Sequence, residues 1–235
     1  MSKPVAIVTG ASRGVGRALA IGLAQDGFNI VAMARSVQKL STLAREAGVP
    51  ESAIVPIGVD LADAESITRA VRSIPAALGT LKVVVNNAGE GGAGTLDVAS
   101  DKLKALLDVN LVGPFRLLQE VVPILIKNGD GLIVNVASRA GKIGFSGWGA
   151  YGASKFGLVG LSESLYRELA GHGIKVTTLC PGWIDTAMAQ EGGSPLASGE
   201  MIQPADLLQT VRWLMSLSPA ACVREVMIEC RSDIA

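Results

Sequence analysis

Tyr151 and Lys155 lie four residues apart in Tyr-Gly-Ala-Ser-Lys and are the pair best suited to chemistry in this sequence. Residues at this spacing share one face of a helix, so the phenol and the ammonium point the same way. A cation beside a phenol favours the phenolate, which lowers the phenol pKa from about 10 towards neutral pH. Such a group suits acid–base catalysis on an alcohol or a ketone. Ser138 follows the apolar run 132–136, so a strand tip would present its hydroxyl to a substrate oxygen. Taken alone, the pair also fits a chance match on an amphipathic helix.

A glycine-rich turn near the start of the chain suggests an anion site. The run 5–8 predicts a short buried strand, the segment 9–16 reads Thr-Gly-Ala-Ser-Arg-Gly-Val-Gly, and a helical pattern follows from 18 to 23. A strand, a glycine-rich turn and a helix N-terminus bind phosphate through free amides and the helix dipole. The spacing is G-x-x-x-G-x-G rather than the more common G-x-G-x-x-G. By itself, this segment is equally compatible with a purely structural turn.

Three further motifs follow in order along the chain. They are Asn-Asn-Ala-Gly at 86–89, Asn110 in Asp-Val-Asn-Leu, and Pro181-Gly182 after the run 176–180. Together with the two motifs above, they resemble those of the short-chain dehydrogenase/reductase family, and the likeness covers nearly all 235 residues. The short segment after 226–229 is similar to that of a shorter subgroup of broad-specificity carbonyl and alcohol oxidoreductases.

The resemblance implies a catalytic tetrad of Asn110, Ser138, Tyr151 and Lys155. Tyr151 would exchange a proton with the substrate oxygen as hydride passes to or from the nicotinamide, and Ser138 would bind that oxygen. Lys155 would lower the tyrosine pKa and bind the nicotinamide ribose, and Asn110 would anchor a water through its main-chain carbonyl. Pro114 has no N–H for the carbonyl four residues back, which is that of Asn110, so the sequence predicts a freed carbonyl there. The alternative is that Pro114 only bends a helix.

The resemblance also implies a dinucleotide site. Its expected residues are Gly10, Ser12, Arg13, Gly14, Val15, Gly16, Arg35, Ser36, Asp60, Leu61, Asn87, Ala88, Gly89, Tyr151, Lys155, Pro181, Gly182, Ile184 and Thr186. Asp60 is expected to contact the adenine amino group, and it also suits the N-cap of the next helix.

The predicted cofactor is NADP(H). An acid about 20 residues beyond the glycine turn selects NAD, whereas an arginine there suits a 2′-phosphate. No acid occurs from Ile30 through Gln38, and Arg35 lies in that segment. Arg35 and Arg13 can bind the phosphate from two sides, although both would also be acceptable as solvated surface residues.

The substrate pocket is expected to be lined by 90–96, 139–148 and a substrate loop at about 183–203. Trp148 and Trp183 would supply apolar walls beside Ser138 and Tyr151, or would serve as packing residues. Glu90 stands where the family usually has an aliphatic residue; it would disfavour anionic substrates or simply face solvent. The physiological substrate, its stereochemistry and the preferred direction stay open.

Fold and organisation follow from the alternation of apolar runs and helical patterns. Strands are predicted at 4–9, 29–34, 53–58, 82–86, 131–137, 174–180 and 225–229. Helices are predicted at 14–26, 37–47, 63–78, 100–127, 150–171 and 204–217. Continuous Val/Ile runs separated by helices predict an α/β fold with a parallel sheet covered on both faces. We expect a single Rossmann-type, doubly wound domain over 1–235, with about seven strands.

Composition limits the possible partners and location. Apolar residues make up 49% of the chain and charged ones 18%, against about 25% in typical soluble proteins. This predicts a large core or a homo-oligomer, a dimer or a tetramer, built on the helices at 100–127 and 150–171. Zero net charge gives no reason to expect nucleic-acid or membrane binding. The three cysteines lack metal-ligand spacing, and we see neither a signal peptide nor an apolar run of about 18 residues, so a cytoplasmic protein is expected.

The leading hypothesis is an NADP(H)-dependent oxidoreductase acting on a small or medium carbonyl compound or secondary alcohol. An epimerase or dehydratase on the same fold is an alternative, but such chains usually carry a larger region than the about 50 residues that follow Pro181. A non-catalytic NADP(H) sensor or scaffold is another, but such proteins usually lose the tyrosine or the lysine. Consumption of NADPH with a ketone panel distinguishes the first hypothesis from the other two.

Overall fold

A seven-stranded parallel sheet forms the centre of the molecule in the computed structural model, which describes residues 3–234. The strand order across the sheet is β3-β2-β1-β4-β5-β6-β7. The strands are β1 (Pro4–Thr9), β2 (Asn29–Ala34), β3 (Ile54–Gly58), β4 (Thr80–Asn86), β5 (Gly131–Val136), β6 (Ile174–Pro181) and β7 (Glu225–Ile228). All seven lie within a residue or two of their predicted positions.

Helices cover both faces of the sheet and divide the core into two layers. They are α1 (Gly14–Gln25), α2 (Leu43–Ala47), α3 (Ala64–Arg72), α4 (Ser100–Leu107), α5 (Gly113–Asn128), α6 (Gly149–Ala170), α7 (Ala187–Glu191) and α8 (Pro204–Ser216). Successive residues of a strand point to opposite faces, so Ala6 and Val8 join the layer under α1 and α8, while Val5 and Ile7 join the layer under α3 and α5. This burial on both sides explains the unalternating apolar strands. The predicted Rossmann-type, doubly wound α/β fold is confirmed.

Three predicted helices differ from those observed. The helix expected at 37–47 consists of a 3₁₀ turn, Val37–Leu40, followed by the short α2. The helix expected at 63–78 ends at Arg72, because Pro75 disfavours helical backbone just before it. The helix expected at 100–127 is interrupted by a π turn at Asp108–Val112.

Two features were not anticipated along the chain. The short helix α7 lies within the segment predicted as a substrate loop. The span Ser100–Asn128 is long and apolar enough to cross a membrane by length and composition, although it contains no uninterrupted apolar run of about 18 residues. Leu117, Val121 and Leu125 on this span are fully buried against the sheet.

Candidate active site

The predicted site residues converge at one edge of the sheet. β1, β4, β5 and β6 are neighbours in the sheet and all run in the same direction, so their carboxyl ends lie side by side. Gly10, Asn87, Ser138 and Gly182 follow these four strands. In open α/β sheets, ligands bind in the crevice beyond this edge.

Ser138 and Tyr151 form the polar centre of the site. Ser138 lies just after β5 and caps a 3₁₀ turn, where its Oγ accepts the N–H of Ala140 at 3.1 Å. Tyr151 lies in the first turn of α6, and its hydroxyl is hydrogen bonded to the Ser138 side chain. Burial raises the pKa of Tyr151, and the hydrogen bond with Ser138 lowers it to a smaller extent.

Lys155 is buried one turn further along α6. Its Nζ donates to the carbonyl of Val136 at 3.0 Å and lies 5.8 Å from the centroid of the Tyr151 ring. Burial lowers the pKa of Lys155 to about 8. In this arrangement burial of the phenol raises the pKa of Tyr151, so the predicted lowering of that pKa by Lys155 is not observed here and stays a prediction.

Asn110 is fully buried in the π turn and holds the loop that follows β4. Its Oδ1 accepts the N–H of Glu90 at 2.8 Å, and its Nδ2 donates to the Glu90 carbonyl at 2.8 Å. Nδ2 also donates to Ser154 Oγ at 2.9 Å, and Ser154 in turn donates to the Tyr151 carbonyl at 2.7 Å. The side chain of Asn110 therefore links the β4 loop to α6, a connection that sequence reasoning missed although Ser154 belongs to the Tyr-Gly-Ala-Ser-Lys motif.

The π turn shows how the helix accommodates Pro114. Pro114 cannot donate to the carbonyl of Asn110, and the N–H of Gly113 bonds to the carbonyl of Asp108, five residues back. The helix widens here rather than ending, a geometry that is frequent at functional sites. The water-anchoring role of the Asn110 carbonyl stays a prediction.

The glycine turn at 10–16 is built for close approach. Gly10 and Gly14 have φ angles of +68° and +53°, which favour glycine. A Cβ on Gly16 would lie 2.3 Å from the Gly10 carbonyl oxygen and 2.4 Å from Asn87 Nδ2. Within the described residues, no side chain caps the start of α1, so its first-turn amides face the crevice with the helix dipole behind them. This turn therefore fits the pyrophosphate of a dinucleotide.

Thr9, which sequence reasoning missed, ties the glycine turn to the loop after β4. Its buried Oγ1 accepts the N–H groups of Asn87 and Ala88, both at 3.0 Å, and Asn87 Nδ2 donates to the Thr9 carbonyl at 3.0 Å. A hydroxyl residue at the end of an otherwise apolar strand was the available signal. Gly89 adjoins this loop, and a Cβ there would lie 3.4 Å from Lys155 Nζ.

Both predicted phosphate-binding arginines are exposed and face carboxylates. Arg35 Nη1 lies 3.1 Å from Glu90 Oε1, and Arg13 Nη1 lies 3.6 Å from Glu191 Oε1. Ser36, next to Arg35, is exposed as well. The side chain of Glu90 is therefore paired with Arg35, and it is neither free in solvent nor an unpaired charge in the pocket.

Asp60 and Leu61 differ in part from expectation. Asp60 is exposed and its Oδ1 accepts the N–H of Ala62 at 3.0 Å, whereas Asp63 caps α3 through the N–H of Glu65. The alternative role of Asp60 as a helix cap is thus wrong, because α3 begins at Ala64 and Asp63 directly precedes it. The Leu61 side chain lies in the core, which leaves only its main chain for a ligand.

The segment after β6 reaches across to the glycine turn. Gly182 N–H donates to the Ile228 carbonyl at 2.8 Å, and Ile184 pairs with Ile202 in an isolated bridge. Thr186 Oγ1 donates to the Ile184 carbonyl at 3.2 Å. A Cβ on Gly14 would lie 3.1 Å from Thr186 Cγ2, so the two segments are in close contact. Of the remaining predicted residues, Ser12 is half-buried, while Val15 and Pro181 are buried.

Three aromatic rings lie together at the start of α6 and after β6. The ring of Trp148 meets that of Tyr151 edge to face at 5.9 Å and that of Trp183 at 5.9 Å. Both tryptophans are half-buried, and a Cβ on Gly192 would lie within 3.4 Å of each. The predicted apolar walls are thus adjacent to the predicted proton donor.

The turn after Ser138 is anchored by the end of the described chain. The guanidinium of Arg139 pairs with Asp233 and lies 3.6 Å from Glu229 Oε1. It also lies 4.9 Å from the centroid of the Phe145 ring. The segment that follows β7 therefore stabilises the turn that carries the candidate substrate-binding serine.

Comparisons with known proteins agree with this architecture. A family model described as short chain dehydrogenase matches residues 4–196. A 3-oxoacyl-(acyl-carrier-protein) reductase of Thermotoga maritima is 33% identical over 221 residues, which cover 90% of each chain. The crystal structure of a betaketoacyl-(ACP) reductase from Bacteroides thetaiotaomicron has a TM-score of 0.86 and 38% identity, covering 100% of this chain and 99% of its own. An actinorhodin polyketide ketoreductase crystallised with NADPH has a TM-score of 0.87 and 30% identity, covering 97% of this chain and 96% of its own. The chain therefore belongs to the short-chain dehydrogenase/reductase family and is an NAD(P)-dependent oxidoreductase.

Proposed function

We propose that this chain interconverts a carbonyl compound and a secondary alcohol with NADP(H), using Tyr151 as the general acid and base. The observation that carries the proposal is the clustering of three side chains: Tyr151 interacts with Ser138, and the buried ammonium of Lys155 lies 5.8 Å from the centroid of the Tyr151 ring. Two hydroxyls in contact at a crevice can bind one substrate oxygen and exchange a proton with it.

NADP(H) is the cofactor, as it is for the actinorhodin ketoreductase named above. The glycine turn at 10–16 would hold the pyrophosphate, and Arg13 and Arg35 would hold the 2′-phosphate. Asn87, Ala88 and Gly89 would line the ribose, and the segment from Pro181 to Thr186 would contact the nicotinamide. When bound, the cofactor supplies or accepts the hydride.

The residues of the chain would handle the proton. Ser138 donates a hydrogen bond to the carbonyl oxygen and orients it, and Tyr151 gives its proton to that oxygen as the alcohol forms. Lys155, next to Gly89, would bind the ribose hydroxyls and favour the phenolate once the proton has left. Asn110 would anchor the water through which the proton is replaced.

A ketone of small to medium size is the substrate class that best fits the crevice. Trp148 and Trp183 offer an apolar wall beside Tyr151. The names of the relatives add β-ketoacyl thioesters to the compounds that should be tried. The segment 183–203 would act as the substrate loop.

The expected assembly is a homo-oligomer, dimer or tetramer, in the cytoplasm. Phe115 and Ile124 on α5 and Phe156 on α6 are at least 40% exposed. Exposed apolar patches are often sites of protein–protein contact. Association through α5 and α6 would bury these side chains.

Replacement of Tyr151 by Phe tests the proposed function. The variant should keep its fold and nucleotide affinity and lose about 10²–10⁴-fold in kcat, because only the proton donor is removed. NADPH consumption is followed by absorbance with a panel of ketones and a β-ketoacyl thioester. Tyr166→Phe, on the same helix, is the matched control and should retain activity. More than a tenth of wild-type kcat in Tyr151→Phe would contradict the assignment, and no turnover by the wild type with any compound would favour a sensor or an epimerase.

A further inference from the structure

Glu90 and Arg35 form an ion pair that bears on cofactor choice. Glu90 Oε1 lies 3.1 Å from Arg35 Nη1, and 28% of the Glu90 side chain is exposed against 68% of the arginine. Sequence reasoning treated the two separately, with Glu90 as a departure from the family pattern and Arg35 as a phosphate ligand. In the structure the two side chains form an ion pair.

The pair crosses the part of the crevice where a dinucleotide would lie. Glu90 follows β4 and Arg35 follows β2, and β1 with its glycine turn lies between these two strands. A bond between the flanking loops must therefore pass over the carboxyl end of β1. The pyrophosphate is expected at that end, and the 2′-phosphate of the adenosine is expected next to Arg35. The pair therefore borders the adenosine side of the site.

The main chain of Glu90 is fixed, which keeps its carboxylate within reach of Arg35. Asn110 accepts the N–H of Glu90 and donates to its carbonyl, both at 2.8 Å, and Asn110 is itself fully buried. Only the side-chain torsions of Glu90 are left free. The carboxylate is therefore held close enough to compete for the guanidinium.

We infer that Glu90 is a specificity-determining residue that competes with the 2′-phosphate of NADP(H) for Arg35. This inference rests on the proposed role of Arg35 in NADP(H) binding. Entry of the phosphate exchanges one anionic partner of the arginine for another, so the net gain is smaller than for a free arginine. NAD(H) has a neutral 2′-hydroxyl and leaves the ion pair intact. The carboxylate thus narrows the preference for NADP(H) over NAD(H).

Binding of the nucleotide fragments 2′,5′-ADP and 5′-AMP to the full chain tests this inference by calorimetry. Glu90→Gln should tighten 2′,5′-ADP binding about two- to fivefold, the range expected for loss of an exposed competing ion pair. Affinity for 5′-AMP should stay within a factor of about 1.5, since it carries no 2′-phosphate. NADP⁺ and NAD⁺ should follow the same pattern.

Two controls separate competition from a general change in charge. Glu163→Gln removes the same charge from an exposed ion pair on α6 and should leave both affinities unchanged. In an Arg35→Gln background, Glu90→Gln should have no effect on 2′,5′-ADP, because the competitor has lost its target. An equal or weaker affinity for 2′,5′-ADP in Glu90→Gln would overturn the inference, as would a gain that persists without Arg35. Because binding needs no turnover, the outcome is independent of whether the wild type reduces any ketone.

Discussion

Replacement of Lys155 by Met should stabilise the protein while it damages the site. Burial lowers the pKa of Lys155 from 10.5 to about 8, a difference that corresponds to about 3 kcal/mol at 1.36 kcal/mol per pKa unit. Methionine removes this cost and forfeits the hydrogen bond to the Val136 carbonyl, worth about 1 kcal/mol. The net gain in the free energy of unfolding is about 2 kcal/mol at pH 7. For a chain of this size, that raises Tm by about 4–8 °C.

The pH dependence of this gain follows from the direction of the pKa change. Between about pH 8 and 10.5 the unfolded lysine is protonated and the folded one is not, so the stability of the wild type rises with pH in that window. The advantage of Lys155→Met should therefore be complete below pH 8 and shrink towards pH 10.5. Thermal unfolding of both proteins across this range, without and with NADP(H), measures it.

A lysine with the opposite environment provides the control. Lys142 Nζ lies 2.8 Å from Glu225 Oε2, and this hydrogen bond raises the pKa of Lys142. Its contribution to stability is present below its ordinary pKa and is lost as pH rises through the folded-state value, so Lys142→Met should be destabilised at pH 7. A Lys155→Met variant that is less stable than the wild type at pH 7, or whose advantage does not change with pH, would refute the reasoning.

Further changes probe the turn, the serine and the assembly. Gly16→Ala should abolish nucleotide binding in calorimetry and lower Tm, because its Cβ would lie 2.3 Å from the Gly10 carbonyl oxygen; unchanged affinity would contradict the close approach. Ser138→Ala removes the hydrogen bond that lowers the pKa of Tyr151, so the apparent pKa of kcat/KM for alcohol oxidation should rise, and an unshifted profile would argue against that bond. Light scattering should find a dimer or tetramer that Phe156→Glu weakens, whereas a monomeric wild type at micromolar concentration would refute the predicted interface on α5 and α6.

Sequence alone predicted the fold and the residues of the candidate site, because both predictions depend on local signals. Apolar runs, most of them continuous, predicted the seven strands. The motif residues lie near the carboxyl ends of strands, which the topology of a parallel sheet brings to one edge. The glycine turn, Ser138 and the Tyr151/Lys155 pair are recognisable from residue type and spacing.

Tertiary structure decided what depends on distance and burial between segments remote in the chain. The direction of the Tyr151 pKa change follows from desolvation, which no spacing reveals. Thr9, Asn110 and Ser154 connect loops that only the assembled sheet brings together. The pairing of Arg35 with Glu90 joins residues that lie 55 positions apart and becomes possible only because β2 and β4 flank β1. Long-range ion pairs and desolvation energies are properties of the packed molecule, so they cannot be predicted from local sequence patterns.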